Sequence, residues 1–373
     1  PRPEVGSSRV RYRGYTQMSL THPPWWDHHS DQPFKLERSQ KPRLRGANLL
    51  EYGRTGITAA TLWPAIAWHY AMPARTKPPQ VSDFVGLGIS PDHGDHNAIA
   101  ELVDELGVKR LLLRVPTWHV DQLEDYLAFA ERFKGRPLLV NILQSRDSTA
   151  DPEDWVRRVE SIIRGFLPLT VEFQIGNAIN RSKWGCRHTG EYLDLLDGIT
   201  DLRKRIPKLV LAGSSVIDFE PLATLRTLVN GHRYHLDACS CALYVNRRGS
   251  PYSTQYGVFN LARKIRLIHA MTLASNRSDN RLWITETNWP LLNTKPYTPN
   301  SGLPRSTVDE KTQARYLSDY YRIAYASGRV ERVYWWQLVN PGYGLIDHRG
   351  NQMRKMPSFH AFARLLNTDV LHE

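Results

Sequence analysis

Cysteine is scarce in this sequence. Its 373 residues include only Cys186, Cys239 and Cys241, too few for the disulfide framework of a small secreted domain. Cys239 and Cys241 lie in one apolar run, and the two-residue period of a strand would direct both thiols to the same face. We therefore expect buried free thiols, which favours a reducing compartment without identifying one.

Long hydrophobic runs are also lacking. No uncharged apolar run reaches about 18 residues, the length that would indicate a transmembrane helix. The nearest candidate, GITAATLWPAIAWHYAM at 56–72, is short, contains Pro64, and is flanked by Arg54, Arg75 and Lys77. The favoured interpretation is a helix packed on the rest of the protein, and the alternative is a segment lying in a membrane interface.

Two familiar ligand-binding patterns are missing. The segment GLGISPDHGD at 86–95 is a poor match to the glycine-rich fingerprint of dinucleotide-binding proteins. The histidines are scattered, and the pair His28-His29 lacks a partner at the helical spacing of a zinc site. The sequence therefore predicts neither a cofactor nor a metal.

Basic residues are in excess. The 49 Lys and Arg residues outnumber the 37 Asp and Glu residues and give a formal charge of +12. Such a surface attracts anions, including acidic glycans, anionic glycolipids and anionic membranes, although a solvated surface explains it equally well. The basic residues are spread out, with short runs such as 203–205, and no nucleic-acid motif is present, so we predict no nucleic-acid partner.

From Phe84 onward, short apolar runs alternate with segments of helical periodicity. Eight strands are predicted, at Phe84–Ile89, Arg110–Val115, Pro137–Leu143, Thr170–Gly176, Leu209–Ser214, Leu236–Tyr244, Leu282–Thr285 and Arg332–Leu338. Helices are predicted at Asn97–Leu106, Asp121–Phe133, from Pro152, across 192–206, and at Phe259–Ala274, Thr312–Ala326 and Phe359–Leu366. This alternation predicts an α/β protein with parallel strands and right-handed crossovers.

Eight such units predict a closed (β/α)₈ barrel, the TIM barrel, with a doubly wound sheet as the alternative. The barrel domain spans 83–373. Residues 1–82, rich in Arg, Pro, His and Trp, are expected to form an N-terminal extension that packs on it, with PPWWDHH at 23–29 as an aromatic loop.

The chemistry of a TIM barrel lies at the carboxyl ends of its strands. The fourth predicted strand reads VEFQIGN and continues AINRSKWG, and the seventh, LWITETNWP, carries Glu286 to the barrel mouth. Taken alone, Glu286 is equally well explained as a helix cap or a salt-bridge partner. A carboxylate placed there is costly to bury unless it has partners or a chemical role.

Together the two segments resemble clan A glycoside hydrolases, most closely those of families 39 and 5. In that superfamily the fourth strand ends in Gly-Asn-Glu-x-Asn, whose Glu is the general acid/base. Here Gly176, Asn177, Ile179 and Asn180 match, and Ala178 occupies the acid/base position. The resemblance covers roughly residues 84–365 and implies a retaining glycosidase that acts on a β-linked oligosaccharide or polysaccharide.

The resemblance also implies roles for other residues. It makes Glu286 the nucleophile, with Arg114 beside it to keep the carboxylate ionised and Tyr244 donating a hydrogen bond to it. Further substrate contacts are expected from Asn177, at the sugar 2-hydroxyl, from one of Trp335 and Trp336 as an aromatic platform, and from Trp184, His119 and Asn288, with Trp118, Trp289 and Tyr343 as further walls. Core or rim packing is the alternative for each.

Two interpretations explain Ala178. In the first and favoured one, a native glutamate was replaced so that an intact glycan stays bound. In the second, the chain is a natural pseudoenzyme or glycan-binding protein that uses the barrel cleft without cutting. An anionic bacterial surface polysaccharide or glycolipid is the expected ligand class, because the chain is basic.

Overall fold

The structure is a computed structural model that describes residues 20–37, 49–74, 79–299, 306–350, 352–367 and 371. Eight parallel strands form a closed barrel in which the eighth pairs with the first. They are β1 (Val85–Ile89), β2 (Arg110–Pro116), β3 (Leu138–Leu143), β4 (Glu172–Ile175), β5 (Val210–Ile217), β6 (Ala238–Ala242), β7 (Leu282–Thr287) and β8 (Arg332–Trp335). The predicted (β/α)₈ barrel is confirmed, and its closure excludes the doubly wound sheet.

Alternation along the strands separates the barrel interior from the layer beneath the helices. Leu112 and Trp283 belong to the interior cluster, whereas Leu111 and Leu113 pack with the helices. The thiols of β6 lie in this outer layer, where Cys239 and Cys241 are free and buried. Inward positions near the carboxyl ends of the strands are therefore left for polar residues of the site.

The two glycines of β1 make room for aromatic side chains of the neighbouring strand. A Cβ added to Gly86 would lie 2.4 Å from Cδ1 of Tyr334, and one added to Gly88 would lie 2.4 Å from Cε3 of Trp336. Tyr334 and Trp336 therefore point into the barrel. Trp335, between them, points outward and stacks on Trp289 with ring centroids 6.1 Å apart.

Helices surround the barrel. They are α1 (Leu49–Ala71), α2 (Val81–Phe84), α3 (His96–Leu106), α4 (Leu123–Glu131), α5 (Arg146–Ala150), α6 (Pro152–Phe166), α7 (Thr189–Gly198), α8 (Thr200–Arg205), α9 (Pro221–Leu228), α10 (Leu261–Leu273), α11 (Glu310–Ala326) and α12 (Pro357–Asn367). Short 3₁₀ turns occur at Thr117–Gln122, Ser182–Trp184 and Asn246–Arg248, and two-residue strands pair at Trp26–Asp27 with Gln32–Pro33 and at Ile346–Asp347 with Arg354–Lys355.

Two predicted helices differ in detail. The one expected at Asp121–Phe133 begins at Leu123, because Gln122, the last residue of the preceding 3₁₀ turn, leaves helical geometry with φ −113° and ψ 21°. The apolar stripe across 192–206 is divided between α7 and α8 at Ile199, whose ψ of 0° interrupts the helix. The sequence did not indicate α9.

The described part of the N-terminal extension contacts the barrel in two places. The hairpin at 26–33 covers the barrel mouth, and α1 packs against α9 and α10, with Ile66 buried and Glu51 bound to Arg226 at 2.8 Å. Among the described helices, none has the length and apolar character needed to cross a bilayer.

Candidate active site

A cavity of about 290 Å³ opens at the carboxyl ends of the strands. That volume is near the lower end of the range of about 300–1,000 Å³ found for ligand pockets. Of the residues predicted for the site, the cavity walls include Arg114, Trp184, Tyr244, Glu286, Asn288 and Trp336, together with Tyr343. Residues from five different strands or their following loops thus meet at one mouth.

Glu286 lies at the end of β7 and is 8% exposed. One carboxylate oxygen accepts a hydrogen bond from Arg114 Nη2, and the other accepts one from the Tyr244 hydroxyl. Burial, and then the negative charge of Glu286, raise the pKa of Tyr244 well above its usual range. The phenol therefore stays protonated and donates a hydrogen bond. Both oxygens of the buried carboxylate are therefore satisfied.

The guanidinium of Arg114 is itself held in place. Its Cζ lies 3.6 Å from the ring centroid of Trp336 and 5.9 Å from that of Trp184. These cation–π contacts fix the planar group between two indoles. Because Arg114 reaches Glu286 from β2, on the other side of the barrel mouth, the indoles position the nucleophile candidate as well as its partner.

A second chain of contacts reaches Glu286 from the loop after β6. The Arg248 guanidinium lies 4.0 Å from the Tyr244 ring centroid and donates to Asn288 Oδ1 at 2.8 Å. Asn288 in turn donates to the Trp336 carbonyl at 2.8 Å. Tyr244 and Asn288 are therefore fixed by the same cation.

The N-terminal hairpin supplies residues that sequence reasoning missed. Asp31, in left-handed backbone with φ 49°, accepts hydrogen bonds from His93 at 3.0 Å and Tyr343 at 3.1 Å, and from Gln337. Burial opposes ionisation of both Asp31 and His93. The attraction between them outweighs it, lowering the pKa of Asp31 and raising that of His93. This ion pair ties the hairpin to the mouth, where Ser30, Asp31 and Gln32 line the cavity.

Ala178 does not line this cavity. Its side chain is fully buried in a cluster with Trp26, Leu143 and Trp184, and its backbone is left-handed, with φ 48°. Trp26 belongs to the N-terminal hairpin, so the extension covers the end of β4. At this position the barrel presents a packed apolar contact instead of an open acid/base pocket.

Three other predicted site residues lie outside the cavity walls, and so do Trp118 and Trp289, two of the three further walls that were expected. Trp335 faces the helices, since successive strand residues point to opposite sides. His119 is fully buried and shares a 2.7 Å hydrogen bond with the Tyr126 hydroxyl, and burial lowers its pKa to about 4. Asn177 is buried beside β4, and among the described residues its Nδ2 has no hydrogen-bond partner.

Three cations that the sequence analysis did not predict also contribute to the site. Arg181, Lys183 and Arg248 line the cavity. Arg181 and Lys183 stand in AINRSKWG, the continuation of the fourth predicted strand, and Arg248 follows Tyr244 by four residues, so the available signal was a basic residue near a predicted site residue. Arg181 is paired with Asp218 at 2.7 Å and also with Glu220. Within the described ranges, no cluster of His, Cys, Asp and Glu could hold a metal ion.

Comparisons with known proteins identify the fold. No protein-family model and no curated protein sequence matches the chain. A family 39 glycoside hydrolase from the gut symbiont Bacteroides cellulosilyticus WH2 matches with TM-score 0.55 and 14% identity, over 78% of this chain and 65% of that one. An arabinofuranosidase matches with TM-score 0.58 and 13% identity, over 78% and 72%.

A family 1 β-glucosidase from Thermotoga maritima matches with TM-score 0.56 and 11% identity, over 79% of this chain and 99% of that one. The chain therefore shares the TIM-barrel fold of these glycoside hydrolases, as the alternation of strands and helices predicted. Identities this low support the shared fold and leave the activity to be argued from the site.

Proposed function

We propose that the chain is a retaining glycosidase-type protein that binds a β-linked glycan and uses Glu286 as its nucleophile. The observation that carries the proposal is the buried Glu286 carboxylate, held by Arg114 and Tyr244 in a tryptophan-walled cavity at the barrel mouth. In a retaining mechanism such a carboxylate attacks the anomeric carbon and forms a covalent glycosyl-enzyme, which water then hydrolyses.

The second carboxyl group of that mechanism has no counterpart at position 178. The two interpretations of Ala178 share one consequence, because in both the side chain packs against Trp26, Leu143 and Trp184 and offers no proton donor. Without a proton donor on β4, bond cleavage depends on the leaving group, because a positioned acid/base contributes about 10²–10⁴ in rate. Glycosides of good leaving groups are then the substrates that reach the glycosyl-enzyme.

The test is covalent trapping. Incubation with a panel of 2-deoxy-2-fluoro-β-glycosyl fluorides is expected to add one sugar mass to the peptide that contains Glu286, because fluoride leaves without protonation. The matched control is Glu286→Gln, which keeps the shape of the side chain and should not be labelled. Products released from unmodified glycosyl fluorides should retain the anomeric configuration by NMR, and inverted products would refute the nucleophile assignment.

A glycan-binding protein without turnover is the second candidate, and the buried alanine at 178 favours it as well. The two candidates differ in one result. Glycan binding by calorimetry without any labelling of Glu286 across the panel would assign the cleft to recognition alone.

We also propose that α1 rests on an anionic membrane surface. Leu50, Ile57, Trp63 and Trp68 on this helix are 81%, 68%, 62% and 64% exposed, although its opposite side packs on α9 and α10. A helix that is apolar on all sides is normally covered on all sides, and exposed tryptophans suit the headgroup region of a bilayer. Arg54 is the one strongly basic residue of the helix, and Glu51 is paired with Arg226.

Charge in the flanking sequence supports an anionic partner. Lys41, Arg43 and Arg45 precede α1 in the sequence, and Arg75 and Lys77 follow it, outside the described residues. Each cation near an anionic leaflet contributes about 1 kcal/mol. An acidic glycolipid or phospholipid surface therefore fits better than a neutral one.

Vesicle sedimentation tests this proposal. The protein is expected to bind vesicles that contain phosphatidylglycerol and to bind pure phosphatidylcholine weakly, and Trp63→Ser with Trp68→Ser should reduce binding about 10-fold or more. The matched control is Tyr252→Ser with Tyr256→Ser, which removes two exposed aromatics from the loop after β6. Equal loss in both double variants, or a solution dimer that the tryptophan variant dissociates, would overturn the membrane assignment.

A further inference from the structure

Two cations of the cavity have no carboxylate partner within the described part of the chain. Lys183 lies on the loop after β4, and Arg248 ends the 3₁₀ turn after β6. The other cavity charges are paired: Arg114 with Glu286, Arg181 with Asp218, and Asp31 with His93. The segment 300–305, which is outside the described residues and reads NSGLPR, contains no acidic residue.

Both cations retain unused hydrogen-bond donors. Lys183 Nζ donates to the Gln32 side chain and, at 3.3 Å, to the Pro33 carbonyl, and it carries three hydrogens. Among the described residues, the Arg248 side chain donates to Asn288 alone, although a guanidinium has five N–H groups. All of these acceptors are neutral, so neither positive charge is compensated by the residues that hold it.

Leaving two half-buried cations uncompensated in one small cavity is unfavourable. Burial lowers the pKa of Lys183 to about 8, and the charges of Arg248 and Lys35 act in the same direction, whereas those of Glu286 and Asp27 oppose it. A bound anion would compensate both cations. The unused donors of Lys183 and Arg248 are the groups that oxyanions bind most strongly.

We propose that Lys183 and Arg248 form a subsite for an anionic group of the glycan, a phosphate, sulfate or carboxylate, beside the sugar that faces Glu286. The proposal rests on the proposed function for the identity of the ligand as a glycan. Lys183 follows Ala178 by five residues on the same loop, so the charged group lies on the β4 side of the cavity. A volume of about 290 Å³ suits a short ligand that carries its charge close to the reacting ring.

Calorimetry with matched ligands tests the subsite. The protein is expected to bind glucuronic acid, and sulfated or phosphorylated monosaccharides, more tightly than glucose, with affinity that falls as salt is raised. Lys183→Met with Arg248→Met should weaken acidic ligands about 10-fold or more, the loss expected from charge-assisted hydrogen bonds. Lys208→Met with Arg233→Met is the control, since it removes the same charge from exposed positions elsewhere.

The pH dependence provides a second readout. Lys183 is cationic below a pKa of about 8, so affinity for acidic ligands should fall between pH 7 and pH 9 in the unaltered protein and change less in Lys183→Met. An equal effect of the two double variants, or the absence of any preference for acidic ligands, would overturn the subsite. Inorganic phosphate that binds as tightly as every acidic sugar would overturn its assignment to a glycan.

Failure of the subsite is distinguishable from failure of the glycosidase assignment. Labelling of Glu286 and binding of acidic ligands are measured separately on the unaltered protein, so each assignment has its own result. Acidic-ligand binding that depends on Lys183 and Arg248, with no labelling of Glu286, would support the subsite and refute the nucleophile. Labelling of Glu286 with equal affinity for acidic and neutral sugars would support the nucleophile and refute the subsite.

Discussion

Glutamate in place of Ala178 is expected to lower the free energy of unfolding by about 3 kcal/mol or more, because it overfills an apolar contact and buries a carboxylate. The Ala178 side chain is fully enclosed with Trp26, Leu143 and Trp184. A longer side chain must displace one of these neighbours, and one of them, Trp26, belongs to the hairpin that also places Asp31 at the cavity.

Urea unfolding of the two proteins measures this effect. Ala178→Gln is the matched control, since it adds nearly the same volume without charge, and the difference between the two variants isolates the cost of burying the carboxylate. Loss of the hairpin contact should also raise the susceptibility of the segment around 26–33 to proteolysis.

The opposite result would carry a clear meaning. If Ala178→Glu were as stable as the unaltered protein and hydrolysed glycosides of poor leaving groups about 10²–10⁴ times faster, the glutamate would be acting as an acid/base. Alanine would then be a replacement at this position, and the favoured interpretation from the sequence motif would be right.

The barrel could be predicted from the sequence because its signal is local. Each strand is a short apolar run followed by a helix with its own periodicity, and eight repetitions leave few topologies. The prediction that one of Trp335 and Trp336 forms an aromatic platform also used only local geometry. The structure directs Trp336 inward over Gly88 and Trp335 outward onto Trp289.

The N-terminal hairpin that covers the barrel mouth could not be predicted, because its position depends on contacts between distant parts of the chain. Asp31 lies 62 residues before His93 and more than 300 before Gln337, and no periodicity links them. The position of His119 also involves a distant part of the chain, since its ring centroid lies 5.0 Å from that of His22 in the N-terminal extension. The sequence also cannot show that Lys183 and Arg248 have no carboxylate partner among the described residues. That follows only from the structure, in which every other charge of the cavity has a partner.

Arg114→Met should be the most damaging single substitution in the site. Glu286 would be left buried without its counterion, and breaking a buried ion pair typically costs about 3–5 kcal/mol of stability. The rate of labelling by the fluorosugar should fall about 10²-fold or more in the protein that remains folded, as expected when a preorganised electrostatic partner is removed. The labelling rate is measured by mass spectrometry on the fraction that is folded under the same conditions.

Arg332→Met is the matched control for this substitution. Arg332 is also a buried arginine, 2% exposed, and it binds Glu172 at the opposite end of the barrel, where residues contribute to stability. Its loss should destabilise the fold by a similar amount and leave the labelling rate of the folded fraction unchanged. Equal rates in the two variants would show that Arg114 contributes only to folding.

A double-mutant cycle completes the test of the Arg114 contact. Adding Glu286→Gln to Arg114→Met removes the unpaired charge, so the double variant should recover much of the stability that Arg114→Met loses, giving a coupling energy of about 1–3 kcal/mol. A cycle in which the two substitutions are additive would mean that Arg114 and Glu286 do not act as a pair. The proposed nucleophile would then lack a partner that offsets the cost of burying its charge.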